Sequence, residues 1–162
     1  MHELNIPTSV DKAGFYAELR VQLAALLEGE TDLIANTANM ASLLYHALPD
    51  VNWAGFYFLK GDEIVLGPFN GKPACVRIAM GKGVCGGAAA ARKSLLVEDV
   101  HSFPGHIACD AASRSELVIP LIRNGEVLGV LDLDSPLPGR FDEADRAGCE
   151  NLAETLLKSL VQ

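Results

Sequence analysis

The spacing of apolar residues changes twice along this chain, and these changes limit what the chain can fold into. From Phe15 to Leu48, apolar side chains recur every three or four residues, which is the period of an amphipathic helix. From Val51 onward the period shortens toward two, as in a strand, and the helical period returns after Asp142. The sequence therefore predicts helices at both ends of the chain and strands between them.

Turn and cap residues divide this pattern into elements. Asn124 and Gly125 form a dipeptide typical of a type I′ hairpin turn, and Asp142 is expected to start the last helix. The predicted elements, in chain order, are helices over 15–27 and 33–48, strands over 51–59, 64–66 and 75–78, a short helix over 88–91, a strand over 95–97, a hairpin of 117–122 and 127–134, and a helix from 142 onward.

The order of these elements indicates the fold class. The chain has 162 residues, without an internal repeat or a linker, so residues 1–162 are expected to form a single domain. Residues 98–115 form a long irregular segment, and long loops in compact domains are usually functional or disordered. We expect an α+β fold with a central, mostly antiparallel sheet, on which the N-terminal helices and the C-terminal helix pack.

The composition narrows the possible partners. The formal net charge of −8 repels phosphate backbones, and no basic patch offsets it, so no nucleic-acid partner is expected. No apolar stretch reaches the roughly 18 residues that a membrane span needs, and residues 1–5 lack the features of a signal peptide. We expect a cytoplasmic protein with no membrane association, whose cysteines are reduced at rest.

Three of the four cysteines lie in sequence contexts that packing does not easily explain. Cys75, Cys85 and Cys109 occur in Gly-rich, Pro-rich or polar stretches, whereas Cys149 continues the apolar stripe of the last helix. Loop cysteines in a reducing compartment indicate redox chemistry or metal binding, although three unrelated buried thiols would give the same pattern. Cys149 is expected to be an inert core residue.

Neighbouring residues bear on the choice between redox chemistry and metal binding. His106 and Arg114 are close enough in sequence to Cys109 to favour its thiolate, and a helix N-terminus at Cys85 would lower the pKa of that thiol. A zinc site would need the three cysteines together with His101 or His106, yet the paired cysteine spacing typical of structural zinc sites is absent. The sequence therefore favours redox chemistry, with no metal and no cofactor expected.

The predicted hairpin carries a group of carboxylates. Asp132 and Asp134 share one face of its second strand, and Glu116, at the start of the partner strand, could lie near them. Crowded carboxylates raise one another's pKa, which would leave a protonated acid as a proton donor in a site that suits an ammonium group. Alternatively, the strand frays toward Pro136 and both aspartates are solvated.

Two aromatic residues of the first strand could form a wall for a ligand. Trp53 and Tyr57 lie four residues apart and therefore face the same way, opposite to Phe56 and Phe58. Either face could simply be core. Beside acidic residues, a Trp–Tyr wall would suit a methyl-bearing or cationic ligand.

Several segments of the chain resemble one family closely. They are NWAGFYF (52–58), GPFNGKPACVRI (67–78), GKGVCG (81–86), EDVHSFPGHIACDAASRSE (98–116), GVLDLDSP (129–136) and RFDEAD (140–145). In this order, over nearly the whole chain, they resemble the free methionine-(R)-sulfoxide reductases, which are enzymes built on a GAF domain. The resemblance implies a GAF-like fold and the reduction of free L-methionine-(R)-sulfoxide, but not of methionine sulfoxide within proteins.

The resemblance also implies roles for the cysteines. Cys109 would be the nucleophile and would become a sulfenic acid, and Cys85 or Cys75 would then close a disulfide with it. The two resolving candidates remain open, with Cys85 favoured if a helix N-terminus activates it. Thioredoxin, as in the family, would reduce the disulfide again.

For the substrate, the resemblance implies a second group of residues. Three carboxylates would hold the substrate and help to protonate the sulfoxide oxygen, and two aromatic residues would shape the pocket around the S-methyl group. These residues are Glu116, Asp132 and Asp134, with Trp53 and Tyr57. A homodimer is expected because terminal helices often pair on this scaffold. The alternative function is a GAF-type ligand-binding or redox-sensing module without turnover, which would have the same fold.

Overall fold

The computed structural model describes residues 2–106 and 111–161, and its elements follow the predicted order. The described helices and strands are α1 (Lys12–Leu27), α2 (Leu33–Ala47), β1 (Trp53–Lys60), β2 (Glu63–Gly71), β3 (Arg77–Ala79), α3 (Gly83–Ala91), β4 (Leu95–Val97), β5 (Ser115–Arg123), β6 (Glu126–Ser135) and α4 (Glu143–Ser159). A short 3₁₀ helix, Val100–Ser102, follows β4. Among the helices of these ranges, none is long and apolar enough to cross a membrane.

The strands form one antiparallel sheet in the order β3-β2-β1-β6-β5-β4. Strands β5 and β6 form the predicted hairpin, and both of its turn residues, Asn124 and Gly125, have positive φ, as a type I′ turn requires. The pairing shifts by one residue between Leu121 and Ile122, and beyond this shift Glu116 on β5 pairs with Asp134 on β6.

Both faces of the sheet are buried, each by different elements. One face packs against α1, α2 and α4 through a core that includes Phe56, Leu131 and Leu133. The other face packs against α3 and the 3₁₀ helix through a second core that includes Tyr57 and Val130. The predicted α+β fold is therefore confirmed, with the N-terminal and C-terminal helices together on one face of an antiparallel sheet.

The structure differs from the prediction mainly around α3. This helix begins at Gly83, earlier than the predicted range 88–91, because glycines in its first turn hide the helical signal in the sequence. A Cβ at Gly86 would lie 2.4 Å from the carbonyl oxygen of the last residue of β3, so only glycine permits this close approach. Cys75 precedes β3 instead of lying in a strand over 75–78.

Helices α1 and α4 are joined by a buried polar contact around Tyr16. The Tyr16 hydroxyl donates a 2.7 Å hydrogen bond to Asp145, which also accepts a hydrogen bond from Lys12. Asp145 completes a capping box with Asp142, the residue that precedes α4. Cys149 is fully buried, and its Sγ lies 3.8 Å from the Tyr16 hydroxyl, so the prediction that Cys149 is a core residue is confirmed.

Alanine at Gly148 is expected to destabilise this helix contact. A Cβ there would lie 2.2 Å from Cγ of the Tyr16 ring, close to where the ring is attached and cannot move aside. Overpacking of this kind costs about 1–3 kcal/mol of the free energy of unfolding. Thermal or urea denaturation of Gly148→Ala measures the effect.

A second glycine in a helix provides the matched control. The nearest atom to a Cβ at Gly87 in α3 is 3.5 Å away, an ordinary contact, so Gly87→Ala is expected to leave the free energy of unfolding unchanged or slightly higher. Equal stability of Gly148→Ala and the wild-type protein would show that α1 and α4 pack less tightly than described here.

Candidate functional site

A cavity lies on the face of the sheet that packs against α3. Strands β1, β5 and β6 form its floor, and the first turn of α3 forms part of its wall. Most of the residues that the sequence singled out line this cavity: Trp53, Tyr57, Cys85, Glu116, Asp132 and Asp134. Cys75 adjoins it through a contact with Tyr57, and Cys109 lies outside the described residues.

Three carboxyl groups converge on the floor of the cavity. Glu116 lies across the hairpin from Asp134, and Asp132 lies two residues before Asp134 on the same face of β6. Glu116 and Asp132 are only 6% and 5% exposed. Because β6 continues to Ser135, the alternative of a frayed strand with two solvated aspartates is wrong.

Burial changes the protonation of this group. Burial raises the pKa of Glu116 well above its usual range, and the charges of Asp132 and Asp134 raise it further. Burial also raises the pKa of Asp132, but hydrogen bonds with Glu116 and Cys85 oppose this rise. We therefore assign the proton to Glu116 at neutral pH, where it is a neutral acid able to donate a proton to a ligand.

Trp53 and Tyr57 form one wall of the cavity, and the polar groups of both side chains donate hydrogen bonds to the backbone of residues 72–75. The rings of Trp53 and Tyr57 stack with centroids 6.0 Å apart, and Trp53 also stacks on Phe69 at 5.2 Å. The Trp53 Nε1 donates to the Lys72 carbonyl at 3.1 Å, and the Tyr57 hydroxyl donates to the Cys75 carbonyl at 2.9 Å. Burial, with nearby carboxylates, raises the pKa of Tyr57, so the hydroxyl keeps its proton and remains a donor.

The two cysteines near the cavity are in different chemical states. Cys75 forms a disulfide, whereas Cys85 is a free thiol that is 5% exposed and donates to Glu116 Oε1 at 3.6 Å. Cys85 does lie in the first turn of α3, but burial, followed by the charges of Asp132 and Glu116, raises the pKa of its thiol. The expectation that the helix N-terminus lowers the Cys85 pKa is therefore wrong.

Residues on both sides of Cys109 in the sequence reach the cavity. His106 and Ser113 both line it. The Nε2 of His106 lies 4.0 Å from Glu116 Oε2. Burial and the nearby His101 lower the pKa of His106, so this contact joins a neutral imidazole to the carboxyl group and is not an ion pair.

The wall of the cavity has a positively charged part that the sequence patterns do not reveal. The cavity is lined by Lys72, Lys82, Gly83 and Val84, and the side chain of Lys82, the residue before α3, does not cap the helix. The N–H groups of a helix start carry a partial positive charge and favour anions. The available signal was the glycine-rich stretch 81–87 before a run of alanines.

The cavity thus combines features that suit a small zwitterion with a methyl group. It offers carboxylates for an ammonium group, lysines and a helix start for a carboxylate, and an aromatic wall for an apolar end. A buried acid and cysteines lie beside these features, so the arrangement can donate a proton and carry out thiol chemistry.

Comparisons with known proteins agree with this geometry. The family model described as "GAF domain" matches residues 35–157. Escherichia coli has a relative named free methionine-R-sulfoxide reductase that is 52% identical over 93% of this chain and 92% of its own length. A Saccharomyces cerevisiae relative of the same name is 40% identical over 98% of this chain and 92% of its own length.

A solved structure extends the similarity to three dimensions. The X-ray structure of free methionine-R-sulfoxide reductase from Neisseria meningitidis, in complex with its substrate, superimposes with a TM-score of 0.94. It is 44% identical to this chain, and the match covers 99% of this chain and 96% of that chain.

Proposed function

Because the chain belongs to the GAF-domain family of free methionine-R-sulfoxide reductases, it reduces the R-sulfoxide of free L-methionine to L-methionine, and we propose that it does so by a thiol mechanism in the cavity. The observation that carries this proposal is the carboxyl group of Glu116, buried beside Asp132 within the cavity that Trp53 and Tyr57 line, where burial raises its pKa. Each part of this group has a use in sulfoxide reduction.

The charged groups of the cavity account for binding of a free amino acid. Asp132 and Asp134 accept the ammonium group, while Lys82 and the start of α3 receive the carboxylate. The aromatic wall of Trp53 and Tyr57 packs against the S-methyl group. Methionine sulfoxide within a protein has neither free charge, and a site built for such groups discriminates strongly against ligands that lack them.

The chemical step transfers oxygen from the substrate sulfur to a cysteine sulfur. The Cys109 thiolate attacks the sulfoxide sulfur while Glu116 protonates the sulfoxide oxygen, which forms a bond between the two sulfur atoms. This S–S bond and the S–O bond of the substrate then break as the oxygen bonds to the Cys109 sulfur. Methionine leaves with its sulfur reduced by two electrons, and Cys109 keeps the oxygen as a sulfenic acid. The location of His106 and Ser113 at the cavity supports Cys109 in this role, since these residues flank it in the sequence.

We propose Cys75 as the cysteine that resolves the sulfenic acid. Its sulfur attacks the sulfenic acid of Cys109, a disulfide forms, and the oxygen leaves as water. Of these two candidates, Cys75 forms a disulfide and Cys85 does not. Cys85 is a buried thiol with a raised pKa and is therefore a weak nucleophile. Cys85 instead donates a hydrogen bond to Glu116 and helps to orient the acid.

A coupled assay tests the function directly. Consumption of NADPH through thioredoxin reductase and thioredoxin is followed with free L-methionine-(R)-sulfoxide as substrate. We expect turnover with this epimer, and little or none with its N-acetyl derivative, which lacks the ammonium group. A folded, fully reduced sample without turnover of the free R epimer would leave a ligand-binding module as the better description.

Separate replacements of Cys75 and Cys85 distinguish the roles of these two cysteines. Cys75→Ser is expected to form about one equivalent of methionine and then stop, because the sulfenic acid has no partner. Cys85→Ser is expected to keep thioredoxin-dependent turnover, since a serine hydroxyl can still donate to Glu116. Methionine and NADPH are measured in the same sample. The reverse result, with turnover lost only in Cys85→Ser, would make Cys85 the resolving cysteine.

Tyr57→Phe is expected to slow closure of the disulfide. The change keeps the ring but removes the hydrogen bond that holds the Cys75 carbonyl, which is worth about 0.5–1.5 kcal/mol. The rate of disulfide closure should therefore fall roughly 2- to 10-fold, while the amount of methionine formed in one turnover stays the same. Trapping of the sulfenic acid with dimedone at timed intervals measures this rate, and an unchanged lifetime would contradict the positioning role.

We infer three properties of the protein in its cellular setting. Thioredoxin is the reductant, because a dithiol must exchange with the disulfide of Cys75 in each cycle. A cytoplasmic location suits this cycle, which needs a reducing compartment. A homodimer through the terminal helices is supported by the exposed apolar side chains of Val21 on α1 and Ile34 on α2, and sedimentation analysis measures the oligomeric state.

A further inference from the structure

A cluster of potential metal ligands lies on the floor of the cavity. The Sγ of Cys85 and one carboxylate oxygen each of Glu116 and Asp132 all lie within 4.8 Å of one another, and the three residues are buried. Cys85 keeps a free thiol while Cys75 forms its disulfide, so the sulfur of Cys85 is available for another purpose. A thiol among carboxylates suits a transition-metal ion better than a hard cation such as Mg²⁺.

The separations of these donors suit a tetrahedral ion. Zinc binds sulfur at about 2.3 Å and oxygen at about 2.0–2.2 Å, which places tetrahedral sulfur and oxygen ligands about 3.5 Å apart. Cys85 Sγ lies 3.6 Å from Glu116 Oε1. Three protein ligands leave the fourth position of a tetrahedral ion to water. Sulfur, nitrogen and oxygen are the donors that zinc uses in proteins.

A buried oxygen of Asp132 without a hydrogen-bond partner also indicates that this cluster binds a ligand. Oδ1 of Asp132 is buried and has no hydrogen-bond partner among the described residues. The Asp132 carboxylate lines the cavity and is 5% exposed, so solvent does not satisfy this oxygen. A buried oxygen without a partner is costly, and the cost is removed when a cation or a donor binds there.

We propose that Cys85, Glu116 and Asp132 bind a Zn²⁺ ion, and that this ion excludes the substrate from the cavity. The ion forms bonds to the Cys85 sulfur and to the carboxylate oxygens, the displaced protons go to solvent, and no electron is transferred. Substrate and ion exclude each other because both need the carboxylates of Glu116 and Asp132. The exclusion rests on the proposed function, whereas the binding of zinc does not.

The test uses the full chain with the Cys75 disulfide closed, the state described here. Zn²⁺ is titrated in competition with a coloured chelator, and Co²⁺ is added separately as a spectroscopic probe. We expect one equivalent of bound Zn²⁺, and the intense near-ultraviolet absorption of a thiolate–Co²⁺ bond. Free L-methionine-(R)-sulfoxide, added to the zinc-loaded protein, is expected to release the ion. Retention of the ion at saturating sulfoxide would overturn the exclusion of substrate.

Variants assign the ligands. Cys85→Ser is expected to weaken Zn²⁺ binding at least about 10-fold and to remove the Co²⁺ absorption, and Asp132→Asn is expected to weaken Zn²⁺ binding as well. Cys149→Ser is the matched control, because Cys149 is a buried free thiol in the other core, and it should bind both ions like the wild-type protein. Absence of Zn²⁺ binding by the wild-type chain, or wild-type affinity in both Cys85→Ser and Asp132→Asn, would overturn the proposal.

Discussion

Replacement of Cys109 by serine is expected to abolish methionine formation, with a loss of at least roughly 10⁴-fold in a single turnover. In the proposed mechanism this sulfur attacks the sulfoxide and accepts its oxygen. A serine hydroxyl ionises far less readily than a thiol and cannot be oxidised to a sulfenic acid. The measurement mixes the fully reduced enzyme with one equivalent of free L-methionine-(R)-sulfoxide and quantifies methionine by chromatography.

The fourth cysteine provides the control for this prediction. Cys149 is fully buried in the core between the sheet and the helices α1, α2 and α4, so Cys149→Ser should form methionine at the wild-type rate. A full equivalent of methionine from Cys109→Ser would show that another thiol is the nucleophile. That result would leave membership of the family untouched, because it would change only the assignment of one residue.

Replacement of Glu116 by glutamine is expected to lower kcat by roughly 10²- to 10⁴-fold, the range for loss of a general acid. An amide has nearly the same shape as the carboxylic acid and can still accept the hydrogen bond from Cys85, but it cannot give a proton to the sulfoxide oxygen. Steady-state kinetics in the thioredoxin-coupled assay measure kcat. The matched control is Glu150→Gln on α4, where the carboxylate pairs with Arg146 away from the cavity.

The pH dependence of kcat identifies the acid. Because the pKa of Glu116 is raised by burial and by its carboxylate neighbours, the group stays protonated at neutral pH and acts as a donor there. The wild-type kcat should therefore fall as the pH rises through the raised pKa, where the proton is lost. In Glu116→Gln, kcat should be much lower than in the wild-type protein, and it should not decrease further at alkaline pH. An unchanged alkaline decrease in the variant would assign the acid to another group.

The elements of the fold could be predicted from the sequence where local interactions decide them. The hairpin turn at Asn124 and Gly125 follows from the positive φ that these two residues tolerate, and the start of α4 follows from the cap at Asp142. The early start of α3 at Gly83 was not predictable in this way. Its glycines lower helix propensity, and they occur there because the end of β3 approaches too closely for a side chain.

The candidate site was only partly predictable for the same reason. The period of two along β6 places Asp132 and Asp134 on one face. Glu116 lies opposite Asp134 only because the pairing shifts by one residue between Leu121 and Ile122, which the turn residues do not reveal. Local patterns do not reveal that α3 covers this face and buries the carboxylates. Burial is the largest cause of the raised pKa of Glu116. The crowding of carboxylates in the sequence therefore indicated that the pKa is raised, but it did not indicate the main cause.

The sequence by itself determined the order of helices and strands, the sheet face shared by Asp132 and Asp134, and the family to which the motifs belong. Periodicity, turn chemistry and the spacing within motifs depend on residues that are close in the chain. The tertiary structure decided the chemical state of the cysteines. It buries Cys85 against Glu116, and it joins Tyr57 to the backbone of Cys75. These contacts join residues far apart in the chain, and only the packed fold brings them within hydrogen-bonding distance.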